Sequence, residues 1–246
     1  MANQLNPHVS VDCVIFGFDF EALHVLLIDR ELSTSNTPVI KKDLKLPGSL
    51  VYDDEDLDTS ASRVLKELTG LENIFLRQFH IFGSPSRVSN KIDLDWLTYT
   101  SKLPISRVVT IAYYSLVKID EVNSADKLAM HGAHWIALDD VGNLAFDHNE
   151  ILQAGLETLR SRLRAEPIGF ELLPKKFTIR QLQTLYEVII GQKLDSRNFR
   201  KKIAKLRYLI PLQEREINVA HKPAQLYRFD KRLYYKTRKE NFVFTL

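Results

Sequence analysis

The chain has 246 residues, of which 45% are hydrophobic and 26% charged, with one cysteine and a net charge of +3. This composition is that of a globular protein able to bury its own core, as one large domain or two modest ones. A single cysteine excludes an intramolecular disulfide, no run approaches the ~20 apolar residues that cross a bilayer, and the start MANQLNPHVSVD lacks the basic-then-apolar order of a secretory leader, so the chain reads as cytoplasmic.

Residues 11–30 carry two apolar runs, DCVIFGF and HVLLIDR, around DFEAL, and read as a hairpin. Cys13 sits inside the first run and reads as a buried, inert thiol. The polar stretch 31–42 reads as a loop, and 44–51 as a short extended segment punctuated by Pro47-Gly48. Residues 58–70 read as a helix, with Asp58 or Thr59 as N-cap and Gly70 just past the C-terminus. Strands are expected at 75–82, 108–119 and 132–138. A helix is expected at 149–164, where Ile151, Leu152, Leu156, Leu159 and Leu163 recur at helical spacing. The segment AEPIG at 165–169 carries both Pro and Gly after that helix and marks a division into 1–165 and 166–246. Beyond it, 178–190 reads as a helix opened by a capping box of Thr178 and Gln181. Asp195 can cap a second helix running to about Tyr208. Two strand-like runs follow, near Ile217 to Val219 and Leu226 to Phe229, joined by the polar bend 220–224.

Charge divides the same way. Residues 171–246 hold 18 Lys and Arg against 7 Asp and Glu, a net +11, which leaves −8 for residues 1–170. Such asymmetry suggests that one half meets a polyanion. The segment DSRNFRKKIAKLRYL (195–209) concentrates it. On a helical wheel of about 100° per residue, Phe199, Ile203 and Leu206 form an apolar stripe. Arg197, Lys201, Ala204 and Tyr208 fall opposite, flanked by Asn198, Arg200 and Lys205. A cationic helix face with a small residue at its centre suits a DNA major groove, where Lys and Arg meet phosphates and Arg or Asn read base edges. Lys175, Lys176 and Arg180, at the start of the preceding helix, are candidate phosphate contacts, as are Ser196 at the start of the basic helix and Lys222 in the bend. RNA is less favoured, because no set of exposed aromatics on a sheet offers stacking platforms. A non-DNA role remains open if the basic helix packs on the acidic half.

The segment LPGSLVYDDEDLDTSASRVLKELTGL (46–71) resembles the signature of Nudix hydrolases. Glu55, Arg63, Leu65, Glu67, Gly70 and Leu71 match it, and Gly48 matches with one extra residue before Glu55. Val64 and Leu68, four apart and so on one helical face, stand where the enzymes place two carboxylates. Mg²⁺ and Mn²⁺ want hard oxygen ligands that these side chains lack. The resemblance therefore implies a lost hydrolase: no catalytic residue, no metal and no cofactor. Glu55 and Arg63 are expected as a structural ion pair.

The whole chain is similar to Nudix-related transcriptional regulators, through LLPKKFTIRQLQTLYEVIIGQKLDSRNFRKKI (172–203), RVVTIAYYSLV (107–117) and LAFDHNEIL (144–152). Within that group it looks nearest to the arabinose-responsive (AraR) branch, with the NrtR-type regulators of NAD metabolism as neighbours. The resemblance implies an α+β protein, a Nudix-like α/β/α sandwich followed by a winged helix-turn-helix. It also implies a homodimeric repressor on a palindromic double-stranded DNA operator, released by a small effector such as L-arabinose or an ADP-ribose-like molecule, with no membrane partner. The alternative is an active Nudix hydrolase of a nucleoside diphosphate derivative such as ADP-ribose. For the effector the matching region offers Asp43, Lys45, Glu67 and Arg87, since a sugar needs several polar partners. The histidines, His131 and His134 included, show no metal-site pattern and read as ordinary hydrogen-bonded side chains.

Overall fold

The structure, a computed structural model, describes residues 4–34, 37–119, 125–166, 168–217, 219–220 and 222–237. The chain divides into two compact units, 1–157 and 158–246. The first is a mixed α/β unit. Its strands are β1 (Leu5–Phe18), β2 (Leu23–Thr34), β3 (Thr37–Lys45), β4 (Gly48–Tyr52), β5 (Arg77–Phe82), β6 (Val109–Lys118) and β7 (Ala133–Ala137), and its helices α1 (Leu57–Thr69), α2 (Lys91–Ser101) and α3 (Ala125–Ala129). One sheet runs β3-β2-β1-β6-β5, with β4 also paired to β1 and β7 to β2. The expected hairpin forms, with Phe16 opposite Val25 and Phe18 opposite Leu23. β1 and β6 are parallel, with Asp12 opposite Ala112.

The polar stretch 31–42, expected as a loop, is instead the end of β2 and the start of β3, with Arg30 opposite Asp43 and Glu31 opposite Lys42. Strand pairing satisfies backbone groups whatever the side-chain polarity, so composition misled here. Helix α1 begins one turn-position earlier than expected: Asp56, not Asp58 or Thr59, is its N-cap and accepts from the Thr59 amide at 2.7 Å. Gly70 closes it with φ 71°, in the left-handed region that glycine enters without a Cβ penalty.

Strand alternation decides what faces what. Val11, Cys13 and Ile15 of β1 and Ile111 and Tyr113 of β6 join Ala61, Val64 and Leu65 of α1 in one apolar cluster. Cys13 is buried there, and burial pushes its thiol up and out of nucleophilic range, as expected. The alternate residues, Ser10, Asp12 and Val14, turn to the other face. There Gly155 of α4 (His148–Ala165) lies so close that an added Cβ would meet Val14 and Phe79 at 3.4 Å.

The second unit contains α5 (Ile179–Ile190), α6 (Ser196–Ile203), the antiparallel pair β8 (Leu209–Arg215) and β9 (Gln225–Phe229), and α7 (Lys231–Thr237). The Thr178–Gln181 capping box forms as read. Helix α6 stops at Ile203 rather than near Tyr208, because three-residue turns close it: Lys205 N donates to Lys202 O and Leu206 N to Ile203 O. Tyr208 is therefore not on an exposed helix face. It is buried with Phe229 and Tyr234, ring centroids 5.7 and 5.4 Å away. The first strand of the hairpin is 209–215; Ile217 of the expected run lies outside it and is 81% exposed, and Asn218 lies outside the described residues. Phe177 bridges to Tyr227 and adds a third edge. Among the described residues no helix is long and apolar enough to cross a membrane.

Candidate functional site

Helix α6 is held from beneath. Phe199 and Ile203 are buried, Leu206 follows them, and the Phe199 ring meets Tyr186 of α5 edge-on at 5.7 Å. Gln183 of α5 donates to Leu194 O and Ser196 Oγ, both at 3.0 Å, and Glu187 accepts from the Leu194 amide at 2.9 Å. These contacts fix the turn between the two helices, and Asp195 caps α6 by accepting from the Asn198 amide at 2.8 Å. Arg197, Asn198, Arg200 and Lys201 consequently stand exposed on the outer face, with Lys205 exposed just past the helix end. Among the described residues no carboxylate pairs with Arg197, Arg200, Lys201 or Lys205. Lys175, Arg180 and Lys222 are also exposed, whereas Lys176 is engaged by Glu214 at 2.6 Å. Such a face attracts a polyanion, since no internal acid competes for its charge.

In the first unit the side of the sheet away from α1 holds a cavity of about 50 Å³, with Asp12, Lys45, Arg87, Thr110, Phe146 and His148 among its lining residues. A wider groove of about 430 Å³ adjoins it through Arg87 and Phe146. The Arg87 guanidinium grips Asp147 with two hydrogen bonds of 2.9 and 2.8 Å and donates to Thr110 Oγ1. Lys45 Nζ donates to Gly48 O at 2.9 Å and Leu46 O at 3.3 Å. His148 Nδ1 accepts from the Leu46 amide at 2.9 Å, and its Nε2 faces Asp12 Oδ1 at 3.5 Å.

Behind this layer Arg30 is buried between the rings of Trp96 and Phe146, 5.6 and 5.0 Å from their centroids. It is bidentate to Asp43 and also donates to Asp93 of α2. That contact ties α2 to the sheet and sets Trp96 as a cavity wall.

Burial governs the charges. It pushes the Asp12 carboxyl up, against the pull of Arg87, Lys45 and the Thr110 hydroxyl. It lowers Lys45 to about 8, despite Asp12. It holds His148 well below 6.5, assisted by Lys45 and Arg87. The cavity thus combines a neutral imidazole, a desolvated amine and a carboxyl group beside a guanidinium, a set able to bind hydroxyls by hydrogen bonds.

Of the expected effector residues, Lys45 and Arg87 line this cavity. Asp43 stands behind it, on Arg30. Glu67 is on α1, beyond the opposite face of the sheet, and pairs with Arg63 at 3.0 Å. Arg63 also pairs with Glu55 at 2.6 Å, the expected structural ion pair. Asp12, Arg30, Trp96, Thr110, Phe146 and His148 carry no signal of a site in the sequence alone, although Thr110, Phe146 and His148 lie in the segments 107–117 and 144–152 that resemble the regulators. His148, grouped with the ordinary histidines, lines the cavity.

A family model described as the NrtR DNA-binding winged helix domain matches residues 169–229. The chain is 30% identical over 228 residues to the ADPR responsive transcriptional repressor NtrR of Acinetobacter baylyi, covering 91% of this chain and 82% of that one. In structure it resembles Shewanella oneidensis NrtR complexed with a 27mer DNA, at 25% identity and a TM-score of 0.67, covering 90% of this chain and 93% of that one. It also resembles a MutT/nudix family protein of Enterococcus faecalis, at 22% identity and a TM-score of 0.62, covering 93% and 88% of the two chains, a likeness of fold alone.

Proposed function

The chain belongs to the NrtR-type family of Nudix-like proteins fused to a winged helix, and from that premise we propose that it is an ADP-ribose-responsive transcriptional repressor. It binds a palindromic operator as a homodimer, placing one α6 per half-site in successive major grooves. ADP-ribose in the cavity of the first unit lowers its affinity for DNA. The observation that carries this reading is the outer face of α6, where Arg197, Arg200 and Lys201 stand exposed with no pairing carboxylate among the described residues. The Acinetobacter relative, named for its response to ADPR, supports that effector. The sequence reading favoured an arabinose-responsive branch, and the relatives found lend a sugar effector no support.

A non-catalytic first unit is part of the proposal. Val64, where Nudix enzymes carry a carboxylate, is 0% exposed inside the cluster of Val11, Cys13 and Ile15, and Leu68 packs against it. Both side chains serve the core and neither offers an oxygen to a divalent ion.

A mobility-shift titration on DNA from upstream of the protein's own gene tests this. Retardation that ADP-ribose reverses and arabinose does not is the expected result. Absence of a specific shift, together with Mg²⁺-dependent hydrolysis of ADP-ribose, would replace the repressor by the hydrolase.

A further inference from the structure

Asp12 is 5% exposed and faces the cavity from β1. Its Oδ2 stands 3.9 Å from Arg87 Nη2 and its Oδ1 3.5 Å from His148 Nε2. Both separations exceed the ~2.7–2.9 Å of a charge-assisted hydrogen bond. With the Thr110 hydroxyl as a further partner, the carboxylate still keeps acceptor capacity, since it offers about four lone-pair sites. Lys45 uses two of its three protons on Leu46 O and Gly48 O, which leaves one to give.

Size and charge narrow what can enter. At about 50 Å³ the cavity has room for about three to five waters, each needing ~10–15 Å³. It is far smaller than the ~150 Å³ cavity that holds a benzene ring, so a purine does not fit. A phosphate, which only accepts hydrogen bonds, would set its oxygens against the acceptor oxygens of Asp12, while the neighbouring cations are already engaged, Arg87 by Asp147 and Lys45 by two carbonyls. Sugar hydroxyls suit it: each can donate to Asp12 and accept from Lys45 or Arg87, in the places of those waters. Trp96 and Phe146 supply apolar walls for the carbon face of a sugar ring. The adjoining groove of about 430 Å³, which shares Arg87 and Phe146, has room for the rest of a nucleotide.

We infer that the cavity receives the hydroxyl edge of the effector's terminal ribose, and that Asp12 is the residue that distinguishes a ribosylated nucleoside diphosphate from the nucleoside diphosphate alone. The inference rests on the ADP-ribose reading above.

Calorimetric titration of the full chain with ADP-ribose and with ADP tests it. Wild-type protein is expected to bind ADP-ribose at least about tenfold more tightly, the scale of one hydrogen bond to a charged group. In Asp12→Asn, nearly isosteric but with one acceptor oxygen replaced by an amide donor, that preference should fall to within about threefold. Asp12→Ala, which removes both acceptor oxygens, repeats the test and should also narrow it. A preference undiminished in the variants, or absent in the wild type, overturns the assignment of Asp12 and leaves the effector reading intact. Failure of wild-type protein to bind ADP-ribose, with operator binding preserved, removes the effector reading and this inference together.

Discussion

Gly48 lies against the carboxylate that floors the cavity. A Cβ at that position would come within 1.7 Å of Asp12 Oδ1 and 2.9 Å of Val11 O. The glycine of the Pro-Gly turn is thus required by close approach rather than by backbone dihedral. Gly48→Ala should cost roughly 1–3 kcal/mol in urea unfolding, the usual toll of overpacking. In an Asp12→Ala background it should cost less, because the struck carboxylate is gone. A double-mutant cycle showing no coupling would refute the contact. His148 makes the second residue-scale case. Its Nδ1 accepts from the Leu46 amide, so its proton sits on Nε2. Burial first, then Lys45 and Arg87, hold the folded imidazole neutral well below 6.5. The unfolded chain takes up a proton near pH 6.5 that the folded chain refuses, so stability present above that pH is lost as pH falls below it. The urea midpoint should therefore decline between about pH 7 and about pH 5.5, and His148→Asn, which keeps an acceptor for Leu46, should flatten the decline. An equal decline in the variant would count against the buried neutral form.

Among the elements, α6 carries the sharpest expectation. Arg197→Ala with Lys201→Ala removes two exposed cations from its outer face and none of its buried anchors. At roughly 1–3 kcal/mol per contact, operator affinity should fall at least about 30-fold in an anisotropy titration, with an unchanged far-UV circular dichroism spectrum. Retained affinity would move the interface elsewhere. Elements with an apolar stripe and a cap were legible in the sequence: α5 announced itself by Thr178 and Gln181, and α6 by Asp195, Phe199 and Ile203. Helix α2 was not, because its one described buried residue is Asp93, a side chain that reads as surface until Arg30 is seen to hold it. Asp12 escaped for the opposite reason, set in a run that reads as uniformly apolar core. Strand parity in the fold, not local composition, turns it toward the cavity. Lys45 and Arg87, singled out by their nearness to a recognisable motif, line the cavity, whereas Glu67, singled out the same way, lies beyond the opposite face of the sheet.

For the whole molecule, charge separates two kinds of binding. The +11 of residues 171–246 predicts steep salt dependence for DNA. With about 6–10 phosphates neutralised per operator, affinity should drop roughly 10³-fold or more between 50 and 200 mM salt. On the proposed reading ADP-ribose binds instead within a network whose charges are already paired, Arg87 with Asp147 and Arg30 with Asp43 and Asp93. Its affinity should change by no more than about threefold over the same range, since buried pairs are weakly screened. Parallel titrations at several salt concentrations check both slopes, and equal slopes would contradict the separation of the two sites.

The chain's two tryptophans, Trp96 and Trp135, both lie in the first unit. Trp96 is a wall of the cavity, its ring 5.7 Å from Lys45 Nζ and 5.6 Å from the Arg30 guanidinium. The protein therefore carries its own fluorophore beside the proposed effector site and none in the winged helix. Tryptophan emission should shift when ADP-ribose enters, and Trp96→Phe should remove most of that signal. An optical titration without any label could then follow effector occupancy while DNA is bound.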